Sequence, residues 1–166
     1  NNGFETDYWT ALEGARQDLG SVAKSVDGQL PCQAIVWFTD GKFELDWRRD
    51  AEQEAAYGVT KPYAPDVSLT TPSSVPVVEK KGRDALCRPG QLADALRTAG
   101  ITTLAIGLSP SAGDKGNFDF MQSIATGRGG GTTCGAITTP APGDFHLASN
   151  VDDIIFAFDA ISDPGQ

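Results

Sequence analysis

Asp40 is the residue that most invites a chemical role. Five apolar residues, 34–38, run straight into Thr39, Asp40 and Gly41. An unbroken apolar run is the pattern of a strand covered on both faces, and this one ends by holding a carboxylate at the rim of a sheet. Asp-Gly after a strand is also ordinary turn chemistry. A second oxygen donor, Thr6, stands just ahead of a helical pattern, where it can equally cap the helix. Ligands of an open parallel sheet gather beyond the carboxyl ends of its strands. The loop before a helix and the end of a strand share that edge, so Thr6 and Asp40 are expected to be neighbours. A carboxylate and a hydroxyl, with water, make a hard-oxygen set suited to Mg²⁺ and less well to Ca²⁺.

Other chemistry has less support. His146 is the only histidine; it falls in a strand pattern, and with no positioned nucleophile a hydrolytic triad has no partner set. The Gly-rich run at 127–131 follows a helix instead of leading a strand into one, so it reads as a turn and not as a phosphate cradle. Asp152 and Asp153 suit the positive end of the last helix. Cys32, Cys87 and Cys134 have no C-x-x-C spacing, which argues against zinc and redox dithiols. Their Gly-, Pro- and Thr-rich surroundings fit disulfides in an oxidising compartment. An odd count leaves one thiol over; of the three pairings Cys87–Cys134 is preferred, the other two remaining open.

The elements that must position these groups follow from periodicity. Residues 7–25 read as a helix with Trp9, Leu12, Leu19 and Val22 on one face, Thr6 or Asp7 as cap, and Glu13 and Arg16 as solvent-face charges. Residues 33–39 are a buried strand. Residues 88–100 carry a helix with Leu92, Leu96 and Ala99 as its stripe, Pro89 in its first turn and Gly100 as its stop. Residues 101–109 are a second buried strand. The stretch 117–127 is a helix with Phe118, Met121, Ile124 and Ala125 inward. Residues 144–149 form a short strand. Residues 149–162 form a last helix, capped by Ser149 or Asn150, with Val151, Ile154, Ile155, Phe158 and Ile161 inward. Between them, 42–88 is irregular. It carries Phe43, Trp47, Tyr57 and Tyr63 as a small satellite core, with short helices over 48–58 and 74–86.

Alternating helices and strands predict an α/β fold, a doubly wound, mostly parallel sheet with right-handed crossovers. The 166 residues suffice for one domain. Three strands are few for this class, and the pattern opens on a helix. The expectation is therefore a partial domain over 1–166, the C-terminal half to two-thirds of the fold, with 42–88 inserted after the Thr-Asp-Gly strand. The formal net charge is −9 and the basic residues are scattered, which argues against nucleic acid. No apolar run reaches the roughly 18 residues of a membrane span.

"IVWFTDGKFEL" resembles the fourth-strand motif of von Willebrand factor A (vWA) domains, and "FETDYWTALEGARQDL" their threonine loop and following helix. "ITTLAIGL" and "FHLASNVDDIIFAFDAI" resemble their last two strands and terminal helix. The likeness covers the chain except the insertion and is nearest the secreted, surface-attached actinobacterial type, in which a similar "TKPYAPD" insertion occurs. It implies a metal-ion-dependent adhesion site in which Thr6 and Asp40 are ligands of Mg²⁺, with Ca²⁺ or Mn²⁺ as substitutes. The family's Asp-x-Ser-x-Ser loop does not occur in 1–166, so this chain alone supplies only part of the ligand set the resemblance implies. The expected protein is thus an extracellular or cell-surface protein-binding module for cell adhesion, not an enzyme. Its partners would be an upstream fragment of the same protein that completes the sheet and a protein ligand presenting a carboxylate. The alternative is a structural assembly subunit with a vestigial metal site.

Overall fold

The computed structural model describes residues 6–22, 28, 31–40, 43, 75–109, 115–127 and 143–162. The predicted helix over 48–58, Trp47, Tyr57, Tyr63, Cys134, residues 128–131 and the loop at 110–114 lie outside them. The elements, in chain order, are α1 (Tyr8–Gly20), β1 (Gln33–Thr39), α2 (Val75–Cys87), α3 (Leu92–Thr98), β2 (Ile101–Leu108), α4 (Lys115–Thr126), β3 (Asp144–Ala148) and α5 (Val151–Ser162). Helices and a three-stranded parallel sheet make this an α/β fold. The chain divides into two compact units, Asn1–Gln33 with Phe43–Ile101, and Ala34–Lys42 with Thr102–Gln166.

The first unit is helical among the described residues. Asp7 caps α1: its carboxylate accepts from the Thr10 backbone N–H at 3.2 Å and from the Thr10 hydroxyl at 2.7 Å. The helix ends at Gly20 with Ser21 as its C-cap, earlier than the predicted residue 25. Tyr8, Trp9 and Leu12 are buried, but Val22 is exposed because the helix has stopped before it. α1 packs on α2 and α3, and α2 on α3. Pro89 lies in the turn ahead of α3, not in its first helical turn, and Gly100, just past the C-cap Ala99, stops α3 in the left-handed conformation at φ 72°.

The second unit holds the sheet, ordered β1-β2-β3. β2 and β3 are parallel, with Ile106 opposite His146, Gly107 opposite Leu147 and Leu108 opposite Ala148. Side chains alternate along a strand, so Ile106, Leu108 and Ala148 share one face, where Ile154 and Ala157 of α5 pack on them. Gly107 points to the other face, against the Phe118 ring of α4; a Cβ there would overlap that ring. Helices therefore cover both faces of the β2–β3 pair. The position of Gly143, just before β3, leaves no room for a Cβ: it would strike the backbone oxygens of Ala125 and Thr103.

Two expectations about burial fail in this unit. β1 is not covered on both faces: Ile35 and Trp37 are buried, whereas Val36 and Phe38 are each 46% exposed. An apolar run marks residues that can be buried; whether both faces are depends on what lies opposite. The last helix fails in part: Val151, Ile155 and Phe158 are exposed, Ile154 packs on the sheet as expected, and among the described side chains only Ala157 is fully buried. Its cap is as expected, since the Asn150 side-chain oxygen accepts from the Asp153 backbone N–H at 3.0 Å.

Candidate functional site

Asp40 follows the last residue of β1, exposed. In a parallel sheet all strands deliver their carboxyl ends to one edge, so the residues after β2 and β3, Ser109 and Ser149, belong to the same edge of the second unit. Adjacent strands lie about 4.8 Å apart, which places Ser109 one strand and Ser149 two strands from Asp40. Ser109 is buried and its backbone N–H donates to the Ala148 carbonyl at 2.9 Å, which ties the ends of β2 and β3 together. The Ser149 N–H and the Asn150 side-chain amide both donate to the Asp153 carboxylate, at 2.8 and 3.1 Å. Asp153 is thus committed to closing the turn into α5. Asp40 takes part in no hydrogen bond or ion pair with the described residues. Asp40 thus ends its strand as an exposed carboxylate.

Thr6 belongs to the first unit, half-buried and in an isolated β-bridge just before α1. Because Asp7 takes the cap, the Thr6 hydroxyl is not needed there. Two residues on, Tyr8 is buried against Phe43, the ring centroids 5.3 Å apart, and the Arg83 guanidinium sits 5.2 Å over the Phe43 ring. Phe43 is the described member of the predicted satellite core, and it packs with α1 and α2. Burial pushes the Tyr8 phenol well above its ordinary 10, against the charge of Arg83 and a backbone hydrogen bond from Phe43. Thr6 and Asp40 therefore sit in different units, and each is located within its own.

Glu13 is the clearest residue that sequence reasoning misplaced. Assigned to the solvent face, it is only 8% exposed. Arg16 grips its carboxylate with two bonds, at 2.7 and 2.6 Å, and Gln17 adds a third at 2.8 Å. Burial raises its pKa, but the hydrogen bonds from Arg16 and Gln17 and the charge of Arg16 outweigh it, and the carboxyl ends below its ordinary 4.5. The i, i+3 and i, i+4 spacing was a visible signal for the pairing; the burial was not.

Cys87 is disulfide-bonded and closes α2, and Cys32 is a free, exposed thiol. The two pairings through Cys32 are thereby removed. His146 is half-buried on β3 with its Nε2 3.1 Å from Asp144, the packed edge histidine expected. Among the described residues no three His, Cys, Asp or Glu side chains gather as a metal site, and no helix is long and apolar enough to cross a membrane. Mg²⁺ prefers near-octahedral oxygen coordination and keeps several waters. Asp40 and Thr6 are each of the right donor type, hard oxygen. Compared with family models, curated proteins and solved structures, the chain matches none.

Proposed function

We propose that this chain is part of an extracellular or cell-surface binding module of the vWA type. In this reading Thr6 and Asp40 are each ligands of a divalent cation, Mg²⁺ or in its place Ca²⁺ or Mn²⁺. The remaining positions go to water, to a serine-bearing loop from another segment of the same protein, and to a carboxylate of a protein ligand. The observation that carries this reading is the uncommitted Asp40 carboxylate at the carboxyl edge of the sheet. The half-exposed Val36 and Phe38 on the strand that bears it support a further segment packing there. The disulfide at Cys87 supports an oxidising compartment.

The test is thermal unfolding after EDTA, then with excess Mg²⁺, on residues 1–166 alone and with the natural upstream sequence attached. A ligand that binds only the folded state stabilises it by about 2.7 kcal/mol at a hundredfold excess over Kd. The upstream sequence should permit that gain, and Asp40→Ala and Thr6→Val should each remove it. A second reading, a permanently packed assembly subunit with a vestigial metal site, is favoured by the same exposed apolar residues. It predicts stabilisation by the added segment with no response to Mg²⁺ in any variant.

A further inference from the structure

The solvent face of α5 carries an apolar and acidic pattern that its packing on the sheet does not explain; the helix N-terminus accounts for Asp152 but not for Asp159 or the exposed apolar residues. Val151, Ile155 and Phe156 are 68%, 54% and 69% exposed. Asp152 and Asp159 are also exposed, and neither has an ion pair or hydrogen bond with the described residues. At 3.6 residues per turn and 1.5 Å rise, the two acids fall within about 20° of each other around the axis and about 10 Å apart along it. Val151 and Ile155 lie on one side of that line and Phe156 on the other. The buried Ala157 lies about 150° away, so the pattern faces outward.

We propose that this face docks a basic amphipathic helix of a protein partner. Lysines or arginines one line deep, seven residues apart, would meet Asp152 and Asp159, and apolar side chains flanking that line would cover Val151, Ile155 and Phe156. Charge complementarity selects this occupant. A second copy of α5 would bring acids against acids, in a chain of net charge −9, and like charges facing each other across an interface are strongly disfavoured. An anionic membrane is disfavoured for the same reason, since interfacial helices carry Lys and Arg on their polar faces. The site is independent of the cation at Asp40.

The probe is a labelled 18-residue peptide with leucines on one face and a central line of lysines at i, i+7, together with its glutamate twin, followed by fluorescence anisotropy against the full chain. The lysine peptide should bind, weakening at least tenfold when NaCl is raised to about 0.5 M, where screening is nearly complete. Asp152→Asn with Asp159→Asn should cost at least tenfold, and Phe156→Ser with Ile155→Ser should abolish binding, with the circular dichroism of both variants unchanged. Equal binding of the two peptides, indifference to the Asn pair, retention of the chain on phosphatidylserine vesicles in preference to the peptide, or concentration-dependent dimers dissolved by the Ser pair would each overturn the proposal. The Mg²⁺ response of the Asn pair, measured in parallel, separates failure here from failure of the metal reading.

Discussion

α4 and α5 cover opposite faces of the same pair of strands, yet they treat their apolar residues differently. α5 is the more apolar, with eight apolar residues in twelve against five in twelve for α4. In α4, however, Phe118, Phe120, Met121, Ile124 and Ala125 are all buried, and so is Ser123, whose hydroxyl donates to the Asp119 carbonyl at 2.8 Å. Among the described side chains of α5 only Ala157 is fully buried. Apolar content therefore does not rank the two by burial. What lies opposite does: α4 is pressed so close to β2 that Gly107 has no space for a Cβ, whereas the described side chains of α5 that pack on the sheet are Ile154 and Ala157. An apolar helix that keeps half its residues in water is costly unless something else covers it, and that cost makes α5 the place to look for a partner.

The same substitution in each helix would break or confirm this contrast. Phe120→Ala in α4 should cost about 3–5 kcal/mol by denaturant unfolding, the usual range for deleting a buried aromatic ring. That is a large share of a typical domain's stability. A loss under about 1 kcal/mol would mean that α4 is not the packed helix described. Next in size is Gly143→Ala at the tight crossing by Thr103 and Ala125. Overpacking against backbone has no side chain to yield, and a loss of about 1–3 kcal/mol is expected; an unchanged denaturation midpoint would refute the close approach.

The charged residues sharpen the contrast between buried and exposed groups. Glu13→Gln should cost about 1 kcal/mol near neutral pH, since a charge-assisted pair with Arg16 is lost at a buried position. Its pKa lies lower in the folded chain than in the unfolded one. The stabilisation is therefore present above about pH 4.5 and fades as pH falls through the folded value. The gap between wild type and Glu13→Gln should close in acid; a gap constant down to low pH would contradict the pairing. The smallest effect is expected for Phe156→Ala on α5. Exposed and unpacked, it should shift stability by no more than about 0.5 kcal/mol, and a loss comparable with that of Phe120→Ala would mean that the α5 face is covered within this chain.

The candidate site shows the same division between what is local and what is not. Asp40 at the end of its strand was legible because a strand-ending Asp-Gly needs only chain neighbours. Asp7 and not Thr6 capping α1 was one of two readable options, settled by which oxygen reaches the Thr10 N–H. Cys87 closing a helix was hidden by the Pro and Gly beside it.

From sequence alone came the positions of the strands and most helices, the parallel α/β order, a cap at Ser149 or Asn150, and the stop at Gly100. The helices, the cap and the stop depend on hydrogen bonds and backbone angles within a few residues, and the strands and their order on hydrophobic patterning and the alternation of elements. Tertiary structure alone decided the single buried face of β1, the burial of Glu13, the steric demand at Gly107 and Gly143, and the bare outer face of α5. Each of these depends on which atoms from distant segments stand opposite, and residue type at one position does not encode that.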